Sequence, residues 1–326
     1  MSRGICIYAE NTDQTLAPSV IELVTAARKI KDVTGESIQA LLVTEKCESL
    51  KLQLEAIAVD EIFIVETNRP CMFQDDAMSK VIAGALKRLE PSCVLIPATS
   101  TGRSLFARVA VMVCAGLTAD CSELSVAKND TGSFFIRQIK PSVRENEMVS
   151  IVTRSGVYPQ MLTIRQGVYP PSKESPVRKP KITIFNDIDI PPSSIEILDA
   201  IPLSEPPESL TAAEVVVVAG RGSLDPDNFA LIQKFASKIG GVIAGTRPLA
   251  DEGIFPFEKQ IGQTGCTIRP AICVSFGVSG AIQHVEGIKD TKLFIAVNID
   301  EYAPIFNVAD YGVIGDIKEI LPFAVL

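Results

Sequence analysis

The sequence predicts an α/β protein of two doubly wound parallel-sheet (Rossmann-like) domains. A proline-rich connector joins them, and extra antiparallel strands close the first domain. Three observations carry this. Short apolar strands alternate with helical stretches through the first half, and the same strand–turn–helix layout returns after Glu214. Between the two regions, Pro170 to Pro207 holds nine of the 21 prolines, which cannot sit inside central strands or helices. Strand–helix alternation places parallel strands beneath helices on both faces. The 326 residues also exceed one ordinary core, so the domains are expected at 1–202 and 203–326.

Taken in order, Ile5 to Ala9 is an apolar strand, and Val20, Leu23, Val24, Ala27 and Ile30 form a helical face behind it. Ile38 to Val43 is the next strand, with a helix around Leu50 to Ile57. Ile62 to Val65 is the third, followed by Met78, Val81, Ile82, Ala85, Leu86 and Leu89 at helical spacing. Cys93 to Ile96 is the fourth, backed by Leu105, Val109, Met112 and Val113. The turn Pro97 to Arg103 lies where such sheets often bind ligands, but Ser100 or Thr101 as a helix cap explains it equally. Phe134 to Ile139 and Met148 to Thr153 read as paired strands, with a further strand from Gln160. Lys181 to Phe185 is expected to interrupt the connector as a strand.

In the second domain, Val215 to Ala219 has the β-branched run of a strand covered on both faces. It stops at Gly220-Arg221-Gly222. Asp225 and Pro226 then suit a helix N-cap and first residue, and Gly240-Gly241 closes that helix. Ala271 to Phe276 repeats the pattern and runs through Gly277-Val278-Ser279-Gly280 into a helix start at Ala281-Ile282-Gln283-His284. A strand feeding a Gly/Ser turn and a helix start gathers free backbone N–H groups, which favours an anion, most often phosphate. The same turn with nothing bound reads equally well, because G-x-G-x-x-G and the P-loop pattern are both absent.

The totals exclude several classes. A net charge of −8 argues against nucleic acid, which wants a basic face. No stretch reaches the ~20 apolar residues of a membrane helix, and Met1 to Asn11 runs into a strand without a signal peptide. Eight cysteines without a C-x-x-C disfavour zinc-ribbon and iron–sulfur sites and suit a reducing cytoplasm, with Cys266 as a bystander near any ligand. His284 is the only histidine, so acyl transfer and metal chemistry lack their parts.

The succession Gly220-Arg221-Gly222, Thr246-Arg247-Pro248, Ile261-Gly262-Gln263-Thr264-Gly265, Ser279 to His284, Asn298-x-Asp300, Pro304-Ile305-Phe306 and Val308 to Gly312 resembles the FAD-binding domain of the electron transfer flavoprotein α subunit. The G-Q-T-G and S-G-A-I-Q-H segments are the most specific. The first domain is similar more loosely, at Thr99 to Ala110 and at Tyr158-Pro159-Gln160-Met161, while Ile139 to Asn146 departs from the family pattern.

The resemblance implies FAD binding, a flavin-free first domain that contacts a β subunit in a heterodimer, and electron exchange with flavin dehydrogenases. It implies Arg247 over the isoalloxazine, where an always-charged planar guanidinium suits a delocalised anion. Thr246 stands where the family often has Ser. Gln263 is expected to line the ring and Thr264 to donate to N5, with Ile261 and Gly262 also among the cofactor-binding residues. Ser279, Gly280, Ala281 and Gln283 are expected around the ribityl and phosphate groups, with Ile282 also among the cofactor-binding residues, and His284 at the O2 side. Arg221 is expected toward phosphate or adenine, Asn298 and Asp316 at the adenosine, and Ile317 among the cofactor-binding residues. Alternatives are an α subunit of an electron-bifurcating, NADH-dependent complex with two FADs, an NAD-dependent oxidoreductase, or a redox-silent nucleotide-sensing module.

Overall fold

The computed structural model describes residues 4–12, 14–67, 73–128, 134–142, 147–199, 210 and 213–325. The chain divides into two compact units, Met1–Ala200 and Ile201–Leu326. The positions expected to depart from the family at 143–146, and the predicted 202/203 boundary, lie outside the described residues.

The first unit begins with β1 (Ile5–Tyr8), the short hairpin β2 (Asn11–Thr12) and β3 (Thr15–Leu16), and α1 (Pro18–Thr34). There follow β4 (Ile38–Thr44), α2 (Glu48–Glu55), β5 (Glu61–Glu66), α3 (Asp75–Leu89), β6 (Cys93–Pro97) and α4 (Ser100–Met112). Then come β7 (Leu117–Cys121), β8 (Glu123–Lys128), β9 (Phe134–Pro141), β10 (Met148–Val152), β11 (Gln160–Ile164) and β12 (Lys181–Phe185). Seven strands form one parallel sheet in the order β12-β5-β4-β1-β6-β11-β7. Alternate residues of each strand feed opposite faces, as the period-2 pleat dictates. Ile5, Ile7, Ala40 and Leu42 pack with Val20, Leu23 and Leu50 of α1 and α2. Cys6, Tyr8, Leu41 and Val43 pack with Val81, Ile82, Leu105 and Phe106 of α3 and α4.

Two elements sit where sequence pattern could not place them. β11 inserts between β6 and β7, and β12, from within the proline-rich connector, pairs with the edge strand β5. The antiparallel strands form a separate three-stranded sheet, β10-β9-β8. Helix α4 is capped by Thr99, whose hydroxyl accepts from Gly102 N at 2.8 Å, one residue before the caps expected at Ser100 or Thr101.

The second unit contains β13 (Val215–Ala219), α5 (Pro226–Ile239), β14 (Val242–Gly245), α6 (Arg247–Asp251), β15 (Ile272–Phe276), α7 (Ile282–Val285), β16 (Leu293–Asn298), β17 (Tyr311–Ile314) and α8 (Ile317–Val325). Its parallel sheet runs β14-β13-β15-β16-β17. The Asp225 carboxylate caps α5 by accepting from Asp227 N, Pro226 takes the first helical position, and Gly240 ends the helix at φ +64°. Helices α5 and α8 cover one face through Ile232, Ala236, Ile317 and Leu321. The other face is covered mostly by irregular chain that brings Ile261, Ile268, Val278, Ile288 and Ile305 onto Val216, Val218 and Ala296. Loops on that face leave room that continuous helices would fill. No helix among the described residues is long and apolar enough to cross a membrane.

Candidate functional site

At the carboxyl ends of β13 and β15 the strand order reverses, because β13 pairs with both β14 and β15. Ligands of open α/β sheets bind at such a point, where two successive βα turns diverge. Here it opens into a cavity of about 740 Å³. The two turns meet across it. Gly220 N donates to Phe276 O at 2.8 Å, and Gly222 N donates to Gly277 O at 3.1 Å. A Cβ on Gly220 would lie 2.3 Å from Gly277 O. These glycines let one backbone turn approach the other, and so shape the cavity floor.

The segment after α6 forms the second wall. Ile261 N bonds Gly245 O, Gly262 N bonds Cys266 O, and Cys266 N bonds Gln260 O, so residues 260–266 fold into a self-bonded loop. Gln260 is 3% exposed, and its Nε2 donates to the Thr264 hydroxyl at 2.8 Å. With that oxygen already accepting, the Thr264 hydroxyl proton is free to point at a ligand acceptor. Gln260 lines the cavity but was not among the residues expected there; its hydrogen bond across one turn left no mark in the sequence.

The third wall is the turn before α7, itself a single turn of four residues. Its dipole is correspondingly small, and what it offers an anion is the set of N–H groups that a first helical turn leaves unpaired. His284 on this turn is 6% exposed. Its Nδ1 lies 3.1 Å from Ile261 O, and its Nε2 is buried without a hydrogen-bond partner among the described residues. Burial lowers its pKa from the usual 6.5, opposed by the bond to Ile261, so the ring is neutral at neutral pH. A carbonyl only accepts, so the proton resides on Nδ1 and Nε2 carries a bare lone pair.

Charge enters from the rim. Arg247, at the start of α6, has a side chain 66% exposed, and its Nε lies 3.4 Å from Asp251 Oδ2. Arg221, Asp251 and Asp300 line the cavity with it. Asn298 ends β16, where Nδ2 donates to Val278 O at 2.8 Å and Oδ1 accepts from Asp300 N at 3.0 Å, clamping the β15–α7 turn.

Of the sixteen residues expected at the site, Arg221, Thr246, Arg247, Ile261, Gly262, Gln263, Thr264, Ser279, Ala281, Gln283, His284 and Asn298 line this cavity. Gly280, Ile282, Asp316 and Ile317 are not on its wall. Gly280 packs its backbone on Ile305, Asp316 accepts from Lys318 N at the start of α8, and Ile317 joins the α5–α8 core. The walls fit a flavin nucleotide. They offer a neutral basic nitrogen without a partner among the described residues, a hydroxyl with its proton free, backbone donors and an exposed guanidinium, around a volume within the ~300–1,000 Å³ usual for small-molecule sites.

Comparison with known proteins finds matches in both units. Residues 209–289 match the electron transfer flavoprotein FAD-binding domain, and residues 5–190 match the electron transfer flavoprotein domain. The chain is 34% identical over 328 residues to Protein FixB of Clostridium saccharobutylicum, covering 98% of this chain and 94% of that protein. It is 33% identical over 322 residues to the electron transfer flavoprotein subunit alpha of Thermoanaerobacterium thermosaccharolyticum, covering 98% and 96%. It is 34% identical over 331 residues to the lactate dehydrogenase (NAD(+),ferredoxin) subunit LctC of Acetobacterium woodii, covering 98% and 75%.

Proposed function

Because the chain belongs to the electron transfer flavoprotein α-subunit family, we propose that the cavity between the β13 and β15 turns is its FAD site, with Arg247, Thr264, Gln263 and His284 around the flavin ring. The observation that carries this placement is the pairing of an aimed Thr264 hydroxyl with the unpartnered Nε2 of His284 in one cavity. FAD, when bound, supplies reversible uptake of electrons. The chain's own residues bind it, orient its ring and exclude water. Arg247 holds positive charge at the rim, and Asp251 draws on that charge from one turn away. Thr264 presents a hydrogen donor whose direction Gln260 fixes. His284 presents a lone pair and becomes a donor only on taking up a proton. Ser279, Ala281, Gln283, Arg221 and Asn298 fill the remaining wall toward the phosphate and adenosine portions.

The protein acts as the α subunit of a heterodimer with a β subunit and carries electrons between flavin-containing dehydrogenases and a later acceptor. It works in a reducing compartment, to which buried free cysteines such as Cys6, Cys93 and Cys273 are suited. The test is co-expression with its β subunit, a count of released FAD per heterodimer, and titration with NADH. One FAD and no direct reduction by NADH is expected. Absence of flavin overturns the reading. Two FADs with rapid reduction would assign it instead to NADH-linked chemistry of the kind that the name of the Acetobacterium relative describes.

A further inference from the structure

The first unit carries a second cavity, of about 350 Å³, which the FAD site does not use. It lies at the carboxyl ends of β1, β4 and β5, against the starts of α3 and α4, beside the point where β1 separates β4 from β6. This is the ligand position of a doubly wound sheet. Three features give it chemical character.

The first is a buried hydroxyl. Thr67, just past β5, lines the cavity at 4% exposure, and its Oγ1 has no hydrogen-bond partner among the described residues. A buried hydroxyl left unpaired is destabilising, and a bound partner would relieve that cost.

The second is a pair of carboxylates at strand tips. Glu10 follows β1 and Glu45 follows β4, and both line the cavity. Burial raises the Glu10 carboxyl above its ordinary range, partly offset by a hydrogen bond from Thr99. No cation among the described residues pairs with Glu10. An acid at the tip of the second strand of such a sheet is the group that accepts from ribose hydroxyls.

The third is what the cavity refuses. A dinucleotide or phosphate site needs a glycine-rich first turn and a free helix N-terminus. Here the first turn reads Ala9-Glu10-Asn11-Thr12. The N-terminus of α4 already faces a carboxylate, because Thr99 Oγ1, its N-cap, donates to Glu10 at 2.8 and 3.0 Å. Asp75 and Asp76 occupy the first turn of α3. A phosphate would meet acids at both helix starts. Among the described residues of the wall Lys46 is the one cation, against the carboxylates of Glu10, Glu45 and Asp75, and Val43, Phe73, Met78 and Leu105 give a flat ring an apolar surface beside polar neighbours such as Gln14 and Thr44.

We propose that this cleft is a nucleoside site, in which Glu10 and Glu45 accept from the ribose diol, Thr67 bonds the base, and the Phe73–Met78–Leu105 wall packs on it, with phosphorylated nucleotides excluded by charge. No covalent step is involved. The site sits within the first unit and does not depend on the flavin assignment.

The test is calorimetric titration of the FAD-saturated heterodimer with adenosine, guanosine, cytidine and uridine, then with the 2′-deoxy analogue and 5′-monophosphate of whichever binds. FAD saturation removes the adenine subsite of the second unit from the signal. Binding of at least one ribonucleoside below about 1 mM is expected. Thr67→Val and Glu10→Gln should each weaken it about tenfold or more. So should removal of the 2′-hydroxyl, and the monophosphate should bind more weakly than the nucleoside. Thr67→Val keeps the side-chain shape, and unchanged FAD content and far-ultraviolet circular dichroism show that each variant is folded. The proposal is overturned by no binding at 1 mM, by binding that neither substitution changes, or by tighter binding of the monophosphate.

Discussion

The Nδ1 of His284 rests 3.1 Å from the carbonyl oxygen of Ile261, and this contact fixes Nε2 as the ring nitrogen that carries the lone pair. It joins the α7 turn to the 260–266 loop, alongside the bond that Gln263 N donates to Gln283 O at 2.6 Å, so a neutral imidazole helps tie two walls of the cavity. A ring that must stay neutral to be buried has a measurable consequence.

The folded pKa of His284 is depressed below 6.5, so the unfolded chain binds the proton more readily. Its share of stability is fully present above pH 6.5 and is lost as pH falls toward the depressed folded value. For the flavin-free chain, urea unfolding between pH 7.5 and 5.5 should show stability falling below pH 6.5, with a slope of at most about 1.4 kcal/mol per pH unit from this residue. His284→Gln should flatten that part of the profile. An identical slope in the variant would assign the acid sensitivity to other groups.

Thr264→Val removes the hydroxyl that Gln260 orients. A lost hydrogen bond to the ligand should weaken FAD binding by about 1 kcal/mol, or roughly fivefold. Gln260→Leu leaves the hydroxyl in place but unaimed, and should cost less. Flavin release followed by fluorescence reads both. Equal, wild-type affinity in the two variants would remove this pair from the site.

Arg247 and Asp251 act in opposite directions on the electrostatics of the cavity rim. Arg247→Ala should lower the flavin potential, since the reduced anionic ring loses a positive neighbour. Asp251→Asn should raise it, by releasing the guanidinium from its partner. Both side chains are more than half exposed, so screening limits each effect. A loss of about 1.4 kcal/mol for Arg247→Ala corresponds to about 59 mV for a one-electron couple. Spectroelectrochemical titration checks the signs, and shifts of the same sign in both variants would contradict the opposed roles.

Gly280 holds φ +96°, and a Cβ there would stand 2.3 Å from Ile305 N. The turn needs both the left-handed backbone and the missing side chain. Gly280→Ala should destabilise the second unit by about 2 kcal/mol or more, from strain plus displacement of the Pro304–Asn307 turn. FAD content should fall with it, although Gly280 is not on the cavity wall. Thermal unfolding with and without FAD measures both. A Tm within 1 °C of wild type would show that the turn accommodates the methyl group.

Much of this molecule was legible in its residues. The Val215–Ala219 strand, its glycine stop and the Asp225–Pro226 helix start follow from local rules, and the structure has them at those residues. Twelve of the expected site residues face one cavity, because they sit on turns whose order along the chain is itself the pattern. What failed to show was of a different kind. Gln260 reads as one more polar loop residue, and only its hydrogen bond to Thr264 reveals it. Thr67 lies beyond the strand read at Ile62 to Val65 and carries no expectation, and only its burial without a partner among the described residues distinguishes it.

The sequence by itself determined the alternation of strands and helices, the two-part organisation and the family, because these rest on periodicity, turn chemistry and short motifs that neighbouring residues specify together. Tertiary structure alone decided that β11 enters the main sheet between β6 and β7, and that β12 leaves the connector to pair with β5. It also decided the tautomer of His284, and the filling of the α4 N-terminus by Glu10. Strand pairing, burial and the partner of a titratable group are set by chain segments far apart in sequence. No local rule reports which of them will meet.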